Sequence, residues 1–463
     1  MAQSYRLTKQ FLEQLQRIFP AERLLTEAAD VWPYGGDNSR RHAQPDVVVF
    51  PLSHEEVEQL VILCDAERIP LVARGRGTGT TGASVPIEGG VVLSTERLNR
   101  ILAIDPDNRT MIVQPGVTNQ EVQQAAAKHG FFWPPDPTSG AVCTVGGNLA
   151  CNAAGPRAVK YGTTRENVLG IRFVTGNGIG MHSGVHTTKG VVGYDLTRLV
   201  IGSEGTLAII TEATLKLTPL PEATRTLRAL YRDIGSAAQA VSRIMAQPVT
   251  PCALEFMDGK AIELIRDRLP EALPASCNAL LMLEVDGIAE DLEHEVRAVS
   301  SAANGDGCLE IRSARNAQEA AALWEARKAL SPAQRSVAPK KINEDVVVPV
   351  SRMAELINGV AELGMQHGIT IVNFGHAGNG NIHVNLLVDP DDPVQMSHAE
   401  PCLDAIFSLV LSLDGTLSGE HGIGLVKREF VARELEPAAI TLMRAIKDQF
   451  DPNHILNPHK TLP

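Results

Sequence analysis

Through the first half of the chain, short apolar runs are broken repeatedly by glycine. Runs of strand length occur at Asp46–Phe50, Pro70–Arg74, Val91–Ser94 and Thr110–Gly116. Helical spacing predicts helices near Glu55–Glu67 and Asn119–His129, after an opening helix within MAQSYRLTKQFLEQLQRIFP. Two prolines in LTPLPEA, Leu217–Ala223, interrupt the strand pattern and predict a domain boundary. Beyond it the texture changes. Longer amphipathic helices at Ile234–Ala246, Ala289–Ala303, Ala317–Leu330 and Arg352–His367 alternate with strands such as Ala279–Val285, and a last helix is expected at Pro437–Phe450. The pattern predicts an α+β chain with a glycine-rich first domain over 1–222, a second α+β domain over 223–415 and a C-terminal helical segment over 416–463.

Composition narrows the function classes. A chain of 463 residues, 44% hydrophobic and 21% charged, has the make-up of a soluble protein of two or three domains. No apolar run approaches the ~18 residues of a membrane span, and the N-terminus lacks the apolar core and cleavage site of a secretory signal. The formal charge of −12 argues against nucleic-acid binding but leaves room for a small anionic ligand on local arginines and lysines. Seven scattered cysteines without a CxxC argue against a disulfide framework, a zinc–thiolate site and a bound iron–sulfur cluster. A reducing cytoplasm is expected, with peripheral attachment to the inner membrane compatible with it.

The stretch Gly77-Thr78-Gly79-Thr80-Thr81-Gly82 matches GxGxxG, but it runs on into ASVPIEGGVVLS. A Rossmann turn must open a helix there, and Pro86 with two glycines forbids one. The loop is therefore read as an anion nest of exposed N–H groups, a surface loop being the alternative. A second small-residue cluster, DPTSGAVCTVGGNLACNAAGPRAVKYGTTRENV at Asp136–Val168, brings Pro137, Ser139, Thr144, Gly146, Gly147, Asn148, Asn152, Gly155 and Tyr161 together in sequence. A third turn, IGSEGTLAIIT at Ile201–Thr211, contributes Glu204, Gly205 and Ile209. Glycines and small polar residues give the close backbone approach and the donors that a flavin needs.

RGRGTGTTG, the Asp136–Val168 block and GSEGTLAII together resemble the FAD domain of the vanillyl-alcohol oxidase / p-cresol methylhydroxylase superfamily. The resemblance implies a two-subdomain FAD-binding domain, a cap domain with an antiparallel sheet for substrate, and a C-terminal segment returning to the FAD domain. It places FAD against Arg74, Gly75, Arg76, Gly77, Thr78, Gly79, Thr80 and Gly82, and against the residues of the other two blocks. No histidine lies between Arg74 and Gly82, so the flavin is expected to be non-covalent.

Two further segments carry titratable chemistry. ITIVNFGHAGNGNIHVNLLV, Ile369–Val388, reads as strand, Gly/Asn turn, strand, and a symmetric turn at Asn379–Gly380 would set His376 opposite His383 with Asn385 on the same face. SGEHGIG, Ser418–Gly424, offers the carboxylate of Glu420 and the imidazole of His421. Two histidines and a carboxylate suit zinc or manganese, whereas a structural hairpin is the plain alternative.

Both segments resemble the D-2-hydroxyacid dehydrogenase branch of that superfamily, with Asn379 where GHxGDGNxH has Asp. The resemblance implies that His376, His383 and Glu420 bind a divalent metal and that His421 is the base, imidazole being the side chain most often used for that task. It also implies a substrate-carboxylate arginine at Arg327 in LWEARKALS, with Lys341 or Lys340 as a further contact. The expected reaction is oxidation of a D-2-hydroxy acid, D-lactate foremost, to the 2-oxo acid. A D-2-hydroxyglutarate dehydrogenase, a glycolate-oxidising subunit of a larger complex and a non-catalytic flavin electron-transfer subunit are the alternatives. Electrons are expected to pass to a separate acceptor (an electron-transfer flavoprotein, a quinone or a cytochrome), and a homodimer is compatible with the sequence.

Overall fold

In a computed structural model, residues 7–463 are described, and the chain divides into two compact units. Residues 1–6 of the expected opening helix lie outside the described residues; the helix itself is Lys9–Ile18, capped by the Thr8 side chain. The first unit comprises 1–154, 162–220 and 420–463; the second comprises 155–161 and 221–419. Gly155 and Tyr161, expected in the FAD domain, thus belong to the second unit.

The first unit holds two main sheets. In one, β1 (Leu24–Leu25), β2 (Val47–Val49), β3 (Leu71–Arg74) and β4 (Val91–Ser94) run in the order β1-β2-β4-β3, with β2, β4 and β3 parallel. β-Branched residues suit strands buried on both faces. Phe11 and Leu15 of the first helix and Val57, Leu60 and Val61 of the His54–Glu67 helix pack on it. The other sheet is antiparallel, β5 (Ile101–Asp105), β6 (Thr110–Val113), β8 (Val168–Thr175), β9 (Gly180–Gly184) and β10 (Ala208–Lys216) in the order β5-β6-β10-β8-β9. A short pair, β7 (Phe131–Phe132) with β11 (Thr218–Pro219), completes the unit. No helix forms between β3 and β4, where Pro86 and paired glycines occupy the connection.

The second unit is a seven-stranded antiparallel sheet of β12 (Ala223–Tyr231), β13 (Ala253–Asp258), β14 (Ala279–Gly287), β15 (Cys308–Ser313), β16 (Lys340–Val347), β17 (Thr370–His376) and β18 (Asn381–Val388). Its order is β15-β12-β14-β13-β17-β18-β16. Residues directly opposite one another share a face, so Glu255, His376, Phe374, His383, Asn385, Asn343, Asp345 and Lys341 all project on one side. On that side Met257, Met282, Val372 and Leu387 form a core with Leu323, Ala326 and Leu330 of the Ala317–Ala333 helix. That helix runs one turn past its expected end despite Pro332.

Among the described residues no helix is long and apolar enough to cross a membrane, and the seven cysteines form no disulfide.

Candidate active site

In the first unit the glycine loop is tied down from behind. Arg74 buries its guanidinium, donating to the Gly36 carbonyl at 2.6 Å and the Ser84 hydroxyl at 3.3 Å. Burial lowers its pKa, and Asp37 and Glu96 oppose that fall. Gly77, at φ +64°, lies against this guanidinium, where a Cβ has no room. Arg76 pairs with Glu96 at 2.9 Å, and the Thr78 and Gly79 carbonyls accept from Asn38. The two sequence blocks meet here, because a Cβ on Gly75 would stand 2.5 Å from the Thr144 hydroxyl, which caps the Val145–Cys151 helix at Gly147 N. Gly146 is similarly close to Pro115, and Gly82, at φ +79°, lies against Leu425. The Thr80 hydroxyl is buried with no hydrogen-bond partner among the described residues. A glycine-lined backbone with a buried hydroxyl awaiting a partner fits a flavin's phosphate and ribityl groups.

Several residues expected at the cofactor also serve the fold. Ile209 is committed to the core beneath the four-stranded sheet. Asn152, at φ 51°, accepts from the Thr163 hydroxyl and Arg165 N, both at 2.9 Å. The Pro137 and Ser139 carbonyls close local turns, and Gly205 supplies a positive φ of 73°. Tyr161 donates to Asp286 at 2.8 Å, and burial together with that carboxylate pushes its phenol up. The contacts of Ile209, Asn152 and Tyr161 are tertiary commitments that small-residue composition does not reveal.

Glu204 is the main surprise in this unit. Its buried carboxylate accepts from Ile423 N at 2.5 Å and Gly424 N at 2.8 Å, so it holds the backbone directly after His421. Burial raises its pKa, opposed by those two N–H groups and by Lys460 and Lys427. The Thr81 hydroxyl donates to the His421 carbonyl at 3.3 Å, and Leu425 N donates to the Thr81 carbonyl at 2.8 Å. The Glu-His loop and the glycine loop are therefore one construction. His421 Nε2 lies 3.9 Å from Glu420 Oε1.

In the second unit the hairpin register differs from the symmetric expectation. Ala377–Asn379 form a 3₁₀ turn closed by Gly380 N on the Ala377 carbonyl, so His376 faces Asn381 and Phe374 faces His383. The histidines keep a common face one step along it, their rings 5.2 Å apart and perpendicular at 86°. Asn379 is exposed on the turn.

Glu255, absent from the sequence-based expectations, stands directly across from His376 on β13. Its fully buried carboxylate meets His376 Nδ1 at 2.5 Å and Arg327 Nη2 at 2.6 Å. Burial, the largest single influence, would raise that carboxyl; His376 and Arg327 together outweigh it and hold it below the ordinary range. Arg327 also lies over the Phe374 ring at 4.6 Å. Asn385 is fully buried, donating to the Val372 and His383 carbonyls, while its Oδ1 has no partner among the described residues. Lys341 reaches the Ser331 hydroxyl at 2.9 Å. Asp345, opposite His383, accepts from Ser418 and from Gly419 N at 2.9 Å; Glu420 is the next residue in the chain. An imidazole held at Nδ1 by a carboxylate presents Nε2 to a metal, so the donor chemistry of His376 fits a divalent cation, with His383 a second imidazole on the same face.

Comparisons with known proteins show the family. Residues 45–183 match the model of an FAD binding domain, and residues 220–461 match that of FAD linked oxidases, C-terminal domain. The chain is similar to the glycolate oxidase subunit GlcD of Bacillus subtilis, 38% identical over 98% of this chain and 97% of that protein. It is also similar to a D-lactate dehydrogenase of Anaerostipes hadrus, 35% identical over 90% of each. Among solved structures it shares the fold of p-cresol methylhydroxylase, with a TM-score of 0.80 at 17% identity over 99% of this chain and 98% of that one.

Proposed function

Because the chain belongs to the FAD-linked oxidase family, we propose that it oxidises a D-2-hydroxy acid, D-lactate foremost, to the 2-oxo acid. The observation carrying this reading is the buried set of Glu255, His376 and Arg327 beside His383. It combines a cation for a carboxylate with imidazoles suited to a metal, which is what the two ends of a 2-hydroxy acid require.

When bound, the flavin supplies the hydride acceptor and a divalent metal, zinc or manganese, supplies a Lewis acid for the substrate hydroxyl. His376, His383 and Glu420 would hold that metal. Arg327 would present a planar fork for the substrate carboxylate, assisted by Lys341 and by Asn385 on the same sheet face. His421 would take the hydroxyl proton at Nε2, its loop fixed by Glu204 and Thr81. The electron pair leaves the substrate as hydride and passes onward to a separate acceptor.

The test is an anaerobic stopped-flow panel of D-lactate, D-2-hydroxyglutarate and glycolate with the flavin-loaded protein. D-Lactate should bleach the flavin; silence toward all three would sink the proposal. Similarity to glycolate oxidase subunits favours a second reading, a glycolate-oxidising subunit. It predicts that glycolate turnover needs partner chains, so full activity of the isolated chain with an artificial acceptor would count against it.

A further inference from the structure

Glu255 is a carboxylate in the apolar run PCALEFMDGK, set on an interior strand and wholly buried. An unpaired charge in that position would be expensive, and its two oxygens are separately employed, one by His376 and one by Arg327. The same three residues include one proposed metal ligand and the proposed carboxylate arginine. Resting on the hydroxy-acid oxidation proposed for this site, we propose that Glu255 is a positioning residue that couples the two ends of the substrate site.

The coupling is geometric. A carboxylate at Nδ1 fixes the ring of His376 and its tautomer, with the proton on Nδ1 and the Nε2 lone pair presented to a cation. Its other oxygen forms an ion pair with Arg327 Nη2 at 2.6 Å, and the guanidinium lies over the Phe374 ring at 4.6 Å. The cation is thereby placed by the same group that fixes the histidine. The hydroxyl and carboxylate of a 2-hydroxy acid sit on adjacent carbons, so metal and arginine must keep a fixed separation. One rigid carboxylate on a central strand sets that separation more tightly than two independent supports would. A glutamine cannot replace it. Its oxygen can accept from His376 or from Arg327, but its NH₂ then meets a donor on the other side.

The test measures metal affinity and kinetics separately. Zinc and manganese affinities of the flavin-loaded wild type, Glu255→Gln, Arg327→Met and the double variant are read by competition with a chromophoric chelator. KM and kcat for D-lactate are read alongside. Glu255→Gln should weaken metal binding roughly 10- to 100-fold and also raise KM, whereas Arg327→Met should raise KM with metal affinity kept within twofold. The KM effects of the two changes should be non-additive, as expected for contacting residues. If Glu255→Gln alone fails to fold because Arg327 is left unpaired, comparing Arg327→Met with the double variant isolates the same effect on the metal.

Unchanged metal affinity on loss of Glu255, or additive KM effects, overturns the inference. Wild-type protein that takes up neither metal overturns it together with the metal assignment. A wild type silent toward every hydroxy acid removes the functional reading instead, and the chelator titration still decides whether Glu255 supports His376.

Discussion

Glu204 offers a sharp separation between holding a cofactor and holding a catalytic loop. Replacing it by glutamine preserves shape but leaves one oxygen for two backbone donors now served by two, Ile423 N and Gly424 N. The second N–H would face an NH₂ group, and a buried donor without an acceptor costs about 1–3 kcal/mol. Taking about 2 kcal/mol, the opening equilibrium of the 421–425 segment should shift by roughly 30-fold. Hydrogen exchange of a peptide spanning His421–Lys427 should accelerate by about that factor. Flavin reduction by D-lactate should slow only as far as the closed loop is depopulated, by at most that factor, because His421 acts from the closed position. FAD affinity should stay within a few-fold of the wild type, since the side chain spends itself on the loop. Unchanged exchange in that peptide would refute the anchoring role. Loss of FAD with normal exchange would instead return Glu204 to the role of a cofactor contact.

Three further outcomes are expected. His421→Ala should retain FAD while flavin reduction falls by roughly 10²–10⁴-fold, and near-normal single-turnover rates would remove His421 as the base. Gly146→Ala would put a Cβ 2.6 Å from Pro115 Cβ and 3.0 Å from its carbonyl oxygen, costing about 1–3 kcal/mol as overpacking; calorimetry should show a lower Tm, and an unchanged one would mean that the segment shifts freely. Lys460 is buried, which pulls its pKa down to about 8 against the opposing pull of Glu204 and Asp37. The unfolded chain therefore binds the extra proton between about pH 8 and 10.5, and stability relative to Lys460→Met should rise with pH across that window, by on the order of 2–3 kcal/mol. Urea unfolding at the two ends of the window checks the sign, and a flat or falling difference would contradict it.

What could be read from the sequence divides along physical lines. Local signals were sufficient where the chain decides its own conformation. Helical periodicity gives the Ile234–Ala246 and Pro437–Phe450 helices to the residue, and Pro86 with its glycines forbids a helix after the glycine loop. Family likeness in three separated blocks carried the cofactor, and the match to an FAD binding domain supports it. The turn of the histidine hairpin was beyond periodicity, because a period of two fixes which residues share a face and not how Ala377–Asn379 close the turn.

The side chains that arrange the site were hidden for a different reason. Glu255 meets His376 across 121 positions of sequence, and Glu204 meets Ile423 across 219. Neither has local periodicity that names its partner. Both nevertheless leave a trace: each is a carboxylate in a stretch otherwise built for burial, ALEFMD for one and GSEGTLAII for the other. A charge in such a place must be matched by donors from elsewhere in the fold. In this chain the donors come from segments bearing the proposed chemistry, the histidine hairpin for Glu255 and the Glu-His loop for Glu204. Conflict between a residue and its surroundings therefore points to the support of the site, whereas agreement with the surroundings reveals only the fold. Asp286 is the counter-case, since its buried carboxylate accepts from Lys160 and Tyr161, neither of them in the proposed metal and carboxylate site. Such a conflict identifies a tertiary commitment, and only the identity of the partner tells whether that commitment serves chemistry or packing.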